Sequence, residues 1–317
     1  MPFRSTFDCL WCGSRWTTRT EDDVEGWAQL CPDCVGKAGD NEFLRFRLRE
    51  AIAARGAAKR PSTASADGAA DAATPHDRRQ PAVTAATNRD VDAEMRAYYD
   101  ARAPEYDDWY LRRGRYERGP VHDAAWNAEL DAAGRWLDRL PIRGEILELA
   151  AGTGWWSPLL AEKGSLTLHD TSPAALDRAR DRLLAHGLRA HLHVQDAWAE
   201  PDRELDAVFA GFWLSHVPDD RLGRFLELAM RWLRPGGTFA FIDSLPDPHS
   251  GAIDHPPPSP DGTAMRRLAD EREFRIVKVI RPAPVLAAAL QSAGYERIEV
   301  GVTGRFFVTG SAARPGS

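Results

Sequence analysis

The 317-residue sequence has no apolar run approaching the roughly 18 to 20 residues that span a bilayer. Its opening stretch, Met1-Pro-Phe-Arg-Ser-Thr-Phe-Asp, lacks the apolar core of a secretion signal, so a cytoplasmic location is expected. Positive charge is not in excess either. Lys and Arg number 41 against 47 Asp and Glu, a net charge of −6, which argues against the broad basic surface that nucleic-acid backbones need. A small-molecule partner becomes the better expectation. Cysteine is scarce, and all four fall within the first 34 residues. That distribution is unlike a disulfide scaffold.

What is there begins with those cysteines. Cys9-Leu-Trp-Cys12 and Cys31-Pro-Asp-Cys34 are separated by 18 residues, within the spacing of about 15 to 20 typical of paired zinc knuckles. Two residues between thiolates let one knuckle present both sulfurs to one ion, and two knuckles complete a tetrahedron. Cys9, Cys12, Cys31 and Cys34 are therefore read as ligands of a structural Zn2+, with a redox pair or an iron–sulfur centre as alternatives. Residues 1–50 carry seven basic and nine acidic side chains, a net −2, so protein contact or substrate capping suits this zinc-ribbon-like module better than nucleic acid. Phe43-Leu-Arg-Phe-Arg-Leu-Arg reads as the start of a helix with one apolar and one basic face, able to dock on an acidic domain.

From Gly56 to Asp90 the composition turns to Ala, Ser, Thr, Asp, Arg and Pro, with Val83 the sole large apolar side chain. Such a stretch cannot bury enough surface to offset its ordering entropy. We assign 1–50 to the zinc module, 51–90 to a disordered linker and 91–317 to the main domain.

There, helical and strand patterns alternate as a doubly wound α/β fold requires. Val121, Ala125, Trp126, Leu130, Ala133, Trp136, Leu137 and Leu140 gather on one helical face. Strands are expected at 145–150, 165–170, 189–196, 205–212 and 238–243, with helices between them. One of these starts at Ser172-Pro173, an N-cap followed by proline in the first turn. A Pro-rich passage, 246–273, interrupts the pattern. Two final strands, 295–302 and 305–309, flank a short turn, so the last strand should run antiparallel to its neighbour. The expected architecture is a seven-stranded, mostly parallel sheet with that antiparallel end, which a Rossmann dehydrogenase sheet does not have.

The sharpest chemical signal is Glu148-Leu-Ala-Ala-Gly152-Thr153-Gly154, a strand end turning into a helix over glycines that permit unusual dihedrals and close ligand approach. Asp170 ends the second strand 22 residues later, where a carboxylate can accept both hydroxyls of an adenosine ribose. Asp196 ends the third, with Ala197 and Trp198 following. It can meet the adenine edge while Trp198 or Leu176 covers its face.

On these residues the chain, over about Asp90 to Thr309, resembles the class I S-adenosylmethionine-dependent methyltransferases. Leu147-Glu-Leu-Ala-Ala-Gly-Thr-Gly resembles their first motif, His169-Asp-Thr-Ser the second, Gln195-Asp-Ala the third, and Leu233-Arg-Pro-Gly-Gly-Thr the turn before strand five. Ala150 stands where glycine is commoner. Arg96-Ala-Tyr-Tyr-Asp-Ala-Arg-Ala-Pro-Glu-Tyr-Asp looks like the family's N-terminal helix and lid. The resemblance implies S-adenosyl-L-methionine as cofactor and a Rossmann-like methyltransferase fold. It implies that the Gly152 region holds the methionine end, Asp170 the ribose and Asp196 the adenine. The cofactor-contacting residues it suggests are Tyr98, Tyr99, Tyr106, Glu148, Ala150, Gly152, Thr153, Gly154, Asp170, Thr171, Ser172, Asp196, Ala197, Trp198 and Phe212.

Methyl transfer by in-line displacement needs alignment and water exclusion, and a base only if the acceptor is protonated. Phe212-Trp-Leu-Ser-His216 lies just past strand four, where His216 is the candidate base. His122 and Tyr110 are secondary candidates. Trp109, Tyr110, Tyr116, Trp126, Trp155, Trp156, Phe212 and Trp213 suggest an aromatic wall suited to a planar or apolar acceptor, methylated on oxygen or nitrogen. Other readings are a protein or RNA methyltransferase recruited by the zinc module, a non-catalytic zinc-binding regulatory protein, and an NAD-dependent oxidoreductase.

Overall fold

The computed structural model describes residues 6–8, 15–17 and 84–316, and the chain divides into two compact units, Met1–Arg78 and Arg79–Ser317. In the first, β1 (Thr6–Asp8) pairs antiparallel with β2 (Arg15–Thr17), Phe7 opposite Trp16. Cys9, Cys12, Cys31 and Cys34, and most of the expected linker, lie outside the described residues. Among the described residues no group of three or more His, Cys, Asp or Glu is placed to hold a metal, and no helix is long and apolar enough to cross a membrane.

The second unit opens with α1 (Thr84–Arg102). The helix starts six residues before the expected end of the linker. Composition alone hid it, because Thr84 to Asp90 carries no large apolar side chain, while Val91, Met95 and Tyr98 downstream supply a buried stripe at helical spacing. After a short α2 (Asp107–Tyr110), α3 (Pro120–Arg139) buries Trp126, Leu130, Ala133 and Leu137, whereas Val121 at its solvent-facing start is 86% exposed.

The strands are β3 (Gly144–Leu149), β4 (Gly164–Asp170), β5 (His191–Val194), β6 (Leu205–Gly211), β7 (Leu233–Ser244), the hairpin β8 (Thr263–Arg267) and β9 (Glu273–Val277), β10 (Glu296–Val302) and β11 (Phe307–Ala313). Between them stand α4 (Ser157–Ala161), α5 (Pro173–Ala185), α6 (Asp219–Arg231) and α7 (Ala283–Ser292). Seven strands form one sheet in the order β10-β11-β7-β6-β3-β4-β5. β3 to β7 pair in parallel, and β11 runs antiparallel to both β7 and β10. The last strand therefore runs as anticipated but extends to Ala313 instead of stopping near Thr309. The sheet's strand order reverses between β3 and β6, which is where open α/β sheets leave a crevice for ligands.

Parallel strands covered on both faces read as continuous apolar runs, and Ala207-Val-Phe-Ala is wholly buried. Successive residues feed opposite cores. Ile146 and Phe209 join α3, α4 and α5 on one face, while Leu147 and Val208 join α6 and α7 on the other. A third, smaller core lies off the sheet. There Val91, Met95 and Tyr98 of α1 pack on Ala264, Leu268, Ile276 and Val277 of the β8–β9 hairpin. The Pro-rich passage thus contains β8, the first strand of a hairpin that sequence pattern did not expose and that β9 completes just beyond it. Its earlier part is tied down as well: Trp109 Nε1 and Arg112 donate to the Ser250 carbonyl (2.8 and 3.1 Å), and Arg118 donates to that of Gly251 (2.9 Å).

Candidate active site

β3 ends at Leu149, and the chain reverses through Ala150 (φ 50°), Gly152 (φ 56°) and Gly154 (φ 72°). Ala150 is the residue out of place, since a Cβ in the left-handed region costs about 1–2 kcal/mol. Its neighbours hold it there. The Ala151 N–H donates to the His169 carbonyl (3.0 Å), and the Gly152 N–H donates to Asp170 Oδ2 (2.8 Å). A cavity of about 210 Å³ opens over this turn.

Of the residues nominated from sequence, Tyr99, Tyr106, Ala150, Gly152, Asp170, Thr171, Asp196, Ala197, Trp198, Phe212 and His216 line that cavity. Asp170 keeps both carboxylate oxygens on backbone donors, Gly152 N and Ser172 N, each at 2.8 Å. Each oxygen retains a second lone pair for a ligand hydroxyl. Burial raises its pKa and those backbone donors lower it. Asp196 accepts from the Trp198 N–H (3.0 Å) and pairs with Arg96 at 3.2 Å. With side chains 36% and 54% exposed, that pair is worth about 0–1 kcal/mol and yields readily.

Five nominated residues do not reach the cavity. Tyr98 is 1% exposed in the small core of α1 and the hairpin. Glu148 points from β3 toward α4, where Ser157 Oγ donates to its Oε2 at 2.5 Å. Desolvation pushes the Glu148 carboxyl up to about 8, with the Ser157 bond opposing. Thr153 is buried and donates to Asp107 Oδ1 (2.6 Å). Gly154 is required by packing, because a Cβ there would lie 2.7 Å from the Ala179 Cβ and 2.9 Å from its Cα on α5. Ser172 is the α5 N-cap, its Oγ accepting from Ala175 N (3.1 Å) and donating to Asp100 (2.6 Å). Glu148, Thr153, Gly154 and Ser172 support the turn and the start of α5, and a strand-end motif does not distinguish the supporting side from the ligand side. Leu176 likewise packs in the core, which leaves Trp198 as the cavity's flat surface at the third strand end.

Asp92, Met95, Arg96, Gln195, Trp213 and Arg221 also line the cavity; Arg96 and Gln195 belong to family-like segments and Trp213 to the expected aromatic wall, while Asp92, Met95 and Arg221 carried no sequence signal of their own. Asp92, Arg96 and Tyr99 share one face of α1 at helical spacing, a signal available once the helix is known to begin before residue 90. Arg221 pairs with Asp92 (2.9 Å) and stacks 4.4 Å over the Trp198 ring. The Trp213 Nε1 is buried without a hydrogen-bond partner. The cavity thus offers carboxylate acceptors, an aromatic plate and backbone at a glycine, a set that fits an adenosine cofactor.

His216 sits on a one-turn helix after β6. Its Nδ1 is 2.7 Å from the Val277 carbonyl, and its Nε2 is 2.8 Å from the Tyr99 hydroxyl. A carbonyl can only accept, so Nδ1 carries the hydrogen and Nε2 accepts from Tyr99. Burial, followed by the Lys278 charge, holds the ring's pKa well below 6.5. Both nitrogens are engaged, Nε2 by the Tyr99 hydroxyl and Nδ1 by the Val277 carbonyl. His122 and Tyr110 are not at the cavity: His122 lies against Asp123 and Phe306, and Tyr110 stacks on Trp155 at 4.2 Å. The expected aromatic wall is mostly core, with Trp126, Tyr110, Tyr116 and Trp156 all under 5% exposed.

Comparison with known proteins agrees with this geometry. The family described as Methyltransferase domain matches residues 146–237, from β3 into β7. Among curated proteins, the chain is similar to the ubiquinone/menaquinone biosynthesis C-methyltransferase UbiE of Shewanella sediminis, 27% identical over 141 residues, which covers 42% of this chain and 50% of that protein. The same enzyme of Vibrio vulnificus is 31% identical over 169 residues, 48% and 64% of the two chains. The chain thus spans about half the length of the first of these relatives. Among solved structures, DhpI in complex with SAH is 33% identical over 72% of this chain and 98% of that one, with a TM-score of 0.56, and its complex with SAM and HEP matches equally well. With identity of that level sustained along nearly the whole of a solved relative, and with the strand order and glycine turn described above, the chain belongs to the class I S-adenosylmethionine-dependent methyltransferase family.

Proposed function

We propose that the chain transfers the methyl group of S-adenosylmethionine to an oxygen or nitrogen of a small molecule. The observation that carries this is the cavity itself, where Asp170, Asp196 and Trp198 gather with the Gly152 turn and the hydrogen-bonded Tyr99–His216 pair. The cofactor supplies a sulfonium methyl: the acceptor's lone pair forms the new bond as the carbon–sulfur bond breaks, and that electron pair leaves with sulfur as S-adenosylhomocysteine.

This chain's residues bind, orient and exclude water. Asp170 receives the ribose hydroxyls and Asp196 the adenine edge, with Trp198 against the base. Gly152 lets the backbone approach the methionine end. Tyr99, Tyr106 and Phe212 close the cavity around the transfer site, where exclusion of water preserves alignment. Tyr99 is the group that meets the acceptor. Its hydrogen is committed to His216 Nε2, so its oxygen lone pairs are free to accept a hydrogen bond from an acceptor hydroxyl or amine and orient it, the proton released on transfer leaving to solvent with the product. His216 is then a positioning residue acting through Tyr99.

Calorimetric titration of the full chain with S-adenosylmethionine and, separately, NAD tests the assignment. Micromolar binding of the sulfonium cofactor and none of NAD is expected. The reverse pattern refutes it. For the N-terminal unit we propose a structural zinc on Cys9, Cys12, Cys31 and Cys34, a reading supported by spacing alone. Metal analysis of purified protein should give one zinc per chain, and four freely titrating thiols with no zinc would remove it.

A further inference from the structure

Around the Tyr99–His216 pair stand three cations from distant parts of the sequence: Arg102 near the Tyr99 ring, Lys278 bonded to Ser215 beside His216, and Arg266 opposite Phe274, whose ring meets Tyr98. Arg102 ends α1, Arg266 lies in β8 and Lys278 follows β9. Arg102 is 8% exposed. Its guanidinium carbon lies 4.5 Å from the Tyr106 ring centroid and 5.6 to 6.0 Å from those of Tyr98, Tyr116 and Tyr99. It donates to the Tyr116 hydroxyl (3.2 Å), and its Nε is buried with no partner. Lys278 Nζ donates to Ser215 Oγ (2.8 Å), beside His216, and Arg266 donates to its neighbour carbonyl at Met265 (2.8 Å) and more weakly to Pro256 (3.4 Å).

Among the described residues none of the three is ion-paired with a carboxylate. The carboxylate that acts on Lys278, Asp243, already accepts from Ser215 N (2.8 Å) and Ser244 N (2.7 Å). The positive charges feel one another. Burial first, and then Arg266 and Arg102 against the opposing Asp243, hold the Lys278 ammonium down to about 8. A buried charge without a partner costs several kcal/mol, and cation–π contacts with the tyrosines recover about 0.5–2 kcal/mol. That cost falls chiefly on Arg102, the buried one of the three, while half-buried Arg266 and Lys278 add charge of the same sign, and the cluster becomes favourable when a ligand brings the missing negative charge.

We propose that Arg102, Arg266 and Lys278 form an oxyanion-binding subsite for the methyl acceptor, which is therefore a small acid bearing a carboxylate or phosphate group. The inference deepens the methyltransferase reading and rests on it. The subsite would hold the acid group with charge-assisted hydrogen bonds and so set the reacting atom near Tyr99. It also replaces the planar or apolar acceptor that the aromatic composition suggested, since those rings are largely committed to the core.

Inorganic phosphate and acetate are titrated calorimetrically into the full chain, with and without S-adenosylhomocysteine, for the native protein and for Arg266→Met and Lys278→Met. Native protein should bind at least one of the two anions, and each substitution should weaken it on the order of tenfold or more, the loss of one charge-assisted bond. Tighter phosphate than acetate points to a phosphate monoester, and the converse to a carboxylic acid. Both variants should keep the native affinity for S-adenosylmethionine, which shows that they fold. Arg102→Gln, which is buried, is interpreted only alongside them. Absent anion binding in the native protein, or equal binding in both folded variants, overturns the subsite. Loss of the methyltransferase reading would instead appear as no affinity for S-adenosylmethionine, whatever the anions do.

Discussion

The two sides of the cavity are built by different rules. On the nucleotide side, Asp170 and Asp196 stand at or just beyond the carboxyl ends of consecutive parallel strands, and the sheet fixes their separation. Tyr99, which lines the cavity, and the cations proposed to hold the acceptor, Arg102, Arg266 and Lys278, come instead from a helix that precedes the sheet and from the region of a hairpin inserted after β7. The first half uses carboxylates and backbone, the second uses cations and phenols. On the proposed roles, the difference teaches that cofactor recognition is chiefly a property of the sheet, while acceptor recognition belongs to elements packed on it.

Replacing Asp170 with Ala should have the largest effect. It removes two acceptors for the ligand and leaves the Gly152 and Ser172 N–H groups without their partner. Affinity for S-adenosylmethionine should fall on the order of a hundredfold or more, read by calorimetry, while phosphate or acetate binding stays near native. If Asp170→Ala weakens the anions as much as the cofactor, the two sides are not separable.

Next in size, Tyr99→Phe should lower kcat by roughly ten- to a hundredfold with little change in cofactor affinity. His216→Gln should do less. Because the two side chains share a hydrogen bond, the double variant should fall short of the product of the single effects, by a coupling of about 0.5–3 kcal/mol. The native rate should show no inflection near pH 6.5, since the imidazole is already neutral there. Multiplicative effects, or an inflection near 6.5 lost in His216→Gln, would restore His216 as an independent base.

Glu148 tests the support beneath the nucleotide side. Its folded pKa, pushed up to about 8, lies above the unfolded value of about 4.5. Between those values the folded chain holds a proton that the unfolded chain does not, so this group's stability contribution is full below about 4.5 and declines as pH rises to about 8. Melting temperature should drop across that window, and Glu148→Gln should flatten the slope. An unchanged slope would mean that the carboxyl is ionised in place.

The smallest effect concerns Ala150. Glycine would relieve the left-handed strain but lose entropy on folding, so Ala150→Gly should raise stability by no more than about 1 kcal/mol. A marked loss measured by chemical denaturation would show that the methyl group packs favourably in the turn.

Much of the nucleotide side was legible because strand ends and glycine turns leave local patterns. Asp170, Asp196, Trp198 and Gly152 could be read from position alone. Glu148 and Ser172 share the same motifs, and their inward orientation could not be read. In a strand buried on both faces, apolar alternation does not mark which side a polar residue faces. The acceptor side left almost no local trace. Arg102 and Arg266 are 164 positions apart, and the β8–β9 hairpin was hidden by a Pro-rich approach and by a turn, Leu268-Ala-Asp-Glu-Arg272, that lacks glycine. Tryptophan misled in the opposite direction. An abundance of rings suggested a wall where burial had drawn most of them into the core.

The β8–β9 hairpin pairs only with itself, and the register of the seven-stranded sheet does not depend on it. Its length and side chains can drift without disturbing the strands that hold the nucleotide. Two of the three cations stand on or just past it, so descendants of this chain could change the acid they recognise through insertions and substitutions confined to one loop. Grafting a foreign hairpin between β7 and α7 is accordingly the most economical route to a new specificity.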